Sequence, residues 1–278
     1  MGSRCAGRVG WIAVNTFTEA VRQKFFAFVL ILAAALGGSG TLLRTFNFGQ
    51  SELKFVADLG FGAVFFFGSL LAVVMTVQLF FSELDNRTAL TLLAKPVRRW
   101  EFVLGKFLGV WTLLGMFVAL LGLVLGWMLA SRASELLLVA ADGTTQSPYL
   151  SLEGLVVYCA LQWLRLGVVA AVTLVICGVA RTFLYAVIVS TLAVLACQMQ
   201  AVAMEGLLRE DRTPLLKGFA WAVRRLVPDL QLIDLGVPLV LQPEGVSAAV
   251  LGSAFGYGLL YLPVLLALAM YLFLDREI

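Results

Sequence analysis

The sequence predicts an all-α integral membrane protein with six transmembrane helices in one domain over residues 1–278, and three observations predict it. First, 61% of the residues are hydrophobic, only 13% are charged and the mean hydropathy is +0.97, so the chain has more apolar surface than a soluble core can bury. Its solvent is a bilayer. Second, five stretches without an acidic or basic side chain approach or exceed the roughly 20 residues a spanning helix needs: Phe25–Leu43, Leu59–Phe81, Phe107–Ala130, Thr182–Met204 and Gly245–Leu274. Third, Gly154–Ala180 is interrupted only by Arg165, and division there leaves pieces of about half a span each, so it counts as the fourth of six spans.

Taken in order, residues 1–24 are expected to form an N-terminal amphipathic helix. Trp11, Val14, Phe17, Val21 and Phe25 recur at steps of three and four, with Asn15, Glu19, Arg22 and Gln23 on the other side. Such a helix lies along the inner headgroups before the chain turns into the membrane; the alternative is a flank packed against protein. The first span begins after 24 residues and runs for 19, later and longer than the short charged tail and apolar core of about 7–15 residues in a signal peptide, so it is expected to stay in place. The loops Arg44–Asp58 and Ser131–Glu153 are too short for separate domains. Between spans five and six, residues 205–244 are expected to hold a helix that lies on, or dips into, the outer face. Thr213 followed by Pro214 reads as an N-cap and a proline at the first helical position. Leu215, Phe219, Ala222, Val223 and Leu226 then form an apolar stripe that Pro228 stops, and a solvated loop is the competing reading.

Six spans place both termini on one side, and basic residues choose the side. With the termini inside, the inner segments carry eleven: Arg4, Arg8, Arg22, Lys24, Arg87, Lys95, Arg98, Arg99, Lys106, Arg181 and Arg276. The outer segments carry Arg44, Lys54 and Arg132, with five more in residues 205–244, where six acidic residues accompany them. Both termini and the loop between spans two and three are therefore expected in the cytoplasm.

Several function classes drop out. The chain has no histidine, which removes histidine-ligated metals and histidine-based triads. Cys5, Cys159, Cys177 and Cys197 stand at no metal-ligand spacing and read as small apolar residues. Gly105-Lys106 is followed by Phe107 without the upstream glycine of a phosphate-binding loop, and no nucleophile elbow is present. No catalytic role, bound cofactor or metal is expected of this chain. One charge lies deep in a span: Arg165, with Gln162 one turn before it on the same face. A central arginine costs about 2.5–3.5 kcal/mol on insertion scales and faces protein or water, so it is a functional candidate beside the structural reading of a paired charge. Gln198, Gln200 and Glu205 on span five are its candidate partners.

Residues 82–106, SELDNRTALTLLAKPVRRWEFVLGK, place five basic and three acidic side chains between two apolar spans. Ser82 followed by Glu83, Leu84 and Asp85 resembles a capping box, after which a short helix is expected to run to about Ala94, where Lys95-Pro96 stops it. Trp100 then sits at interface depth, with Arg98, Arg99 and Lys106 able to meet anionic headgroups. A loop that only satisfies the positive-inside rule explains the basic residues. It explains less well why acids, a cap and a proline stop occur together, a combination that suits a rigid protruding element for a partner protein.

The string Glu83, Arg87, Thr88, Leu92, Lys95, Pro96, Val97, Arg99, Glu101, Phe102, Gly105 and Lys106, in its order, spacing and position between two spans, resembles the cytoplasmic loop of ABC-2 type transporter permeases. The resemblance extends in pattern to the amphipathic helix, the six spans, the 205–244 region and the closing LFLDREI. Arg165 has no counterpart role in that family, and Arg98 stands where a small polar residue is more usual. Within the family the sequence is most similar to permeases grouped with the maturation of copper enzymes such as nitrous oxide reductase.

The resemblance implies a coupling helix in residues 82–106, with Glu83, Asp85, Arg87, Thr88, Leu92, Lys95, Pro96 and Arg99 as its ATPase-coupling residues. It implies a permease subunit in the cytoplasmic membrane that pairs with a second permease copy, identical or related, and with separate ABC ATPase subunits that hold ATP and magnesium. Membrane lipid is the remaining partner, and nucleic acid is not one. The alternative is an ATP-driven assembly subunit that acts on a periplasmic partner through residues 205–244 without moving a solute. A passive channel or scaffold is the third reading.

Overall fold

The computed structural model describes residues 10–11, 13–18, 31–32, 35, 52–85, 99–140, 149–207, 227–242 and 246–274. Among them lie six α-helices and one 3-10 turn. They are α1 (Glu52–Asp85), α2 (Arg99–Ala140), α3 (Leu152–Val179), α4 (Phe183–Leu207), the 3-10 turn Gln231–Ile233, α5 (Gly236–Leu241) and α6 (Ala248–Leu274). No strand occurs among the described residues.

Five of these helices are long and apolar enough to cross a bilayer, over Leu53–Phe81, Trp100–Ser134, Leu152–Val179, Phe183–Ala201 and Ala248–Phe273. They coincide with the second to sixth spans read from sequence. The first, Phe25–Leu43, lies outside the described residues apart from 31, 32 and 35, which are helical; Leu32 packs in the same apolar core as α1, α2 and α3.

Three boundaries differ from the sequence reading for one reason. α1 starts at Glu52, inside the expected first loop, and α2 runs from Arg99 to Ala140, well past both ends of Phe107–Ala130. Helical hydrogen bonds are local and continue at no cost after hydrophobicity ends, so charged residues at the membrane margin stay helical. The same propagation overturns the capping box at Ser82. α1 continues unbroken through Ser82, Glu83 and Asp85, because ending a 34-residue helix and nucleating another at once is less favourable than adding a turn.

α3 is the central helix and touches α1, α2, α4, α5 and α6. Ala170, Ala171 and Cys177 are fully buried on it, small residues that let neighbouring backbones approach where lipid offers no hydrophobic driving force. Its junction with α2 is held by two tryptophans that exchange hydrogen bonds. Trp163 Nε1 donates to the Trp111 carbonyl at 2.8 Å, Trp111 Nε1 donates to the Trp163 carbonyl at 3.3 Å, and the rings stack at 4.5 Å. Each ring lies over a glycine of the opposite helix four residues past its partner, Trp111 over Gly167 and Trp163 over Gly115.

The helical residues 13–18 dock on α2. Thr16 is buried against Gly109, where any side chain would collide with it and with the Ala13 carbonyl, while Trp11 and Val14 are exposed. Protein covers the Thr16 side of this stretch, while Trp11 and Val14 are left uncovered by the described residues.

Candidate functional site

α3 carries Tyr158, Gln162 and Arg165 at i, i+4 and i+7, one face of the helix. All three are buried, and Arg165 is 1% exposed although it lies 13 residues, about 20 Å, along the helix from Leu152 and thus near the middle of the span. Three other elements converge on its guanidinium. Nη1 pairs with Asp234 Oδ2 at 3.1 Å, Nη2 donates to Gln198 Oε1 of α4 at 2.9 Å, and the group lies over the Phe65 ring of α1 at 3.7 Å from its centroid. Two turns away, Tyr158 packs on Phe61 at 4.3 Å and donates its hydroxyl to the Phe61 carbonyl at 3.4 Å.

Asp234 arrives from the chain between α4 and α6. The sequence predicts a helix after Thr213-Pro214 that lies on, or dips into, the outer face; that helix lies outside the described residues, and the part that follows packs into the bundle. Leu230 and Ile233 are buried. The Asp229 amide donates to the Tyr257 hydroxyl of α6 at 2.7 Å, and Asp229 Oδ1 accepts from the Gln231 amide at 2.9 Å, which fixes the 3-10 turn. α5 then leads away to the N-terminal end of α3, where Ser151 donates its amide to the Val240 carbonyl at 2.9 Å and the absence of a side chain on Gly154 admits the Leu239 carbonyl. Residues 229–240 therefore run from the depth of Arg165 to that end of the bundle.

The charge arrangement is asymmetric. Arg165 is enclosed, whereas the Asp234 side chain is 44% exposed on the open side of the pair. A carboxylate at mid-span does not face hydrocarbon, so this side of the bundle meets water or protein. Two buried donors, Arg165 Nε and Gln162 Nε2, have no hydrogen-bond partner among the described residues.

Of the partners read from sequence, Gln198 is in place, Gln200 is buried on the same helix, and the Glu205 side chain lies outside the described set. Asp234 and Phe65 were missed as partners. The available signal was the requirement that a buried cation be paired, but the acid that satisfies it lies 69 positions away, outside every expected span.

The cytoplasmic-loop candidates divide differently. Glu83 and Asp85 belong to the last turn of α1 and Arg99 begins α2; Arg87, Thr88, Leu92, Lys95 and Pro96 lie outside the described residues. The end of the signature is buried: Glu101 is 1% exposed and Lys106 4%. Lys106 Nζ donates to the Leu79 carbonyl of α1 and sits 4.9 Å from the Phe102 ring centroid. These residues tie the two helices that flank the loop.

A family model for ABC-2 family transporter proteins matches residues 10–278. No curated protein matches the chain.

Proposed function

Since this chain belongs to the ABC-2 family of transporter proteins, whose members are membrane subunits that work with an ABC ATPase, we propose that it is a permease that converts ATP hydrolysis on a separate subunit into movement of a substrate across the cytoplasmic membrane. The family match over nearly the whole chain carries this reading. The sequence supports it from a second side, because without a phosphate-binding loop any ATP and magnesium are held by the partner. Both termini and the loop face the cytoplasm in this reading, and a second permease copy, identical or related, completes the assembly. The coupling residues are Glu83, Asp85, Arg87, Thr88, Leu92, Lys95, Pro96 and Arg99. Lys106 roots them by joining α1 to α2, so that force on the loop moves both helices together.

The alternative, assembly of a periplasmic partner without transport, requires residues 205–244 to be free at the surface. Their described portion is packed against α1, α3 and α6, which favours transport. Placement in the copper-enzyme-maturation branch rests on sequence similarity alone and brings no copper chemistry to a chain without histidine.

Affinity purification of the tagged chain from its own membranes is expected to recover a subunit with a phosphate-binding loop. Leu92→Pro, which costs about 3 kcal/mol of local helix stability and lies outside the bilayer, should leave insertion intact and abolish that recovery or uncouple ATP hydrolysis. Full assembly with normally coupled hydrolysis in the Leu92→Pro protein would refute the coupling role.

A further inference from the structure

Arg165 is held by a counter-ion that is not part of any spanning helix. An acid on α1 or α4 would fix the charge permanently. Asp234 instead lies just after a single 3-10 turn, secured by the Asp229–Tyr257 hydrogen bond on one side and by α5 on the other. Unwinding that turn withdraws the carboxylate without disturbing a membrane helix. Withdrawal alone leaves a buried cation uncompensated, which is strongly unfavourable, so the pair opens readily only when another anion replaces Asp234.

The surroundings describe that anion. A guanidinium presents five donors in a planar fork suited to two oxygens at once, and Asp234 engages Nη1 through one oxygen. Among the described residues Arg165 Nε has no partner, and neither has Gln162 Nε2, a second buried donor one turn away. Access is from the side where Asp234 is exposed, because Arg165 itself is enclosed. The Phe65 ring supplies an apolar wall against the guanidinium, and Ile233, next to Asp234 in the chain, is buried.

We propose that Arg165 is an anion-binding site, filled from within by Asp234, that takes the carboxylate or phosphate group of an amphipathic molecule when the 231–234 turn withdraws. A free amphipathic acid and an anionic lipid headgroup share this chemistry. Only the naming of the anion as cargo rests on the transport reading; binding is measured on the chain alone, so failure to find an ATPase partner leaves the result below untouched.

The test uses the full chain in phosphatidylcholine nanodiscs. Asp234→Ala should melt below the wild type. Octanoate in solution, or phosphatidylglycerol replacing part of the phosphatidylcholine, should raise its melting temperature saturably, while octanol should not. Recovery by octanoate assigns a free acid, recovery by phosphatidylglycerol a lipid, and Arg165→Gln with Asp234→Ala should show neither. If Asp234→Ala does not fold, Asp234→Asn preserves the shape and should bind radiolabelled octanoate or phosphatidylglycerol at least about tenfold more tightly than Asp234→Asn with Arg165→Gln, the factor that one lost charged contact of about 1.4 kcal/mol gives. Absence of recovery and of Arg165-dependent binding in both arms overturns the proposal, as does equal recovery in the double variant.

Discussion

Alanine at Gly115 adds one methyl group and tests whether the paired tryptophans hold α2 to α3. The new Cβ would stand 2.9 Å from Trp163 Nε1 and 3.0 Å from its Cε2, and a rigid ring cannot yield as the end of a flexible chain does. Moving it breaks the 2.8 Å hydrogen bond to the Trp111 carbonyl and the 4.5 Å stack. Overpacking of this kind costs about 1–3 kcal/mol, the hydrogen bond is worth about 1 and the stack about 0.5–1.5, so Gly115→Ala should destabilise by about 2 kcal/mol. Trp163→Ala should cost about 3–5 kcal/mol. In the double variant the methyl enters space the ring has left, so the total should not exceed that of Trp163→Ala alone, a coupling of about 2 kcal/mol. Reversible unfolding of the purified protein in mixed micelles with increasing dodecyl sulfate, followed by circular dichroism, measures all four corners of the cycle. Additive losses would refute the view that the ring and the glycine form one contact.

Two further outcomes are expected. Asp234→Asn should destabilise by about 2 kcal/mol in the same assay, below the 3–5 kcal/mol of a fully buried pair because the Asp234 side chain is 44% exposed, and Arg165→Met with Asp234→Asn should regain most of it; a double variant no better than Asp234→Asn would show that the unpaired charge is not the cause. In a background without Cys5, Cys159, Cys177 and Cys197, a cysteine at Asp142 should react with an impermeant thiol reagent on intact cells, while cysteines at Asp85 and at both termini should not; labelling at position 85 reverses the topology.

What the sequence showed and what it hid have separate physical causes. Spans two to six were legible because a long stretch without charge is itself the condition for crossing a bilayer. Their ends were not, since Arg99, Glu101 and Lys106 are helical and the latter two are buried, and charge marks the edge of hydrocarbon and not the edge of a helix. Ser82 misled because a four-residue cap pattern carries less weight than the helix already running through it. Arg165 was visible as a misplaced charge, and so was its neighbour Gln198. Asp234 was not, because a segment held by one 3-10 turn and a six-residue helix has no periodicity to read. The tryptophan pair left a faint trace, Trp111 four residues before Gly115 and Trp163 four before Gly167, in spans where tryptophan is expected at the interfaces instead.

The contacts also sort the helices by how they can move. About 61%, 56% and 67% of the spanning windows of α1, α2 and α3 are buried inside the chain, against 28% and 22% for α4 and α6. The first three are cross-linked by polar contacts that lipid cannot replace: Lys106 to the Leu79 carbonyl, Trp111 and Trp163 to each other's carbonyls, and Tyr158 to the Phe61 carbonyl. Separating any two of them strands buried donors, so they respond to force as a block. α4 and the 229–240 segment meet at one guanidinium, where Gln198 and Asp234 share Arg165, and the segment is also tied to the start of α3 by the Ser151–Val240 hydrogen bond. If the proposed coupling loop delivers force to the ends of α1 and α2, the contacts within the block carry it to α3, and the contacts at Arg165 are where α3 meets α4 and the inserted segment. The exposed carboxylate lies at that point, and exchange of its partner changes the connection between the rigid block, α4 and the inserted segment.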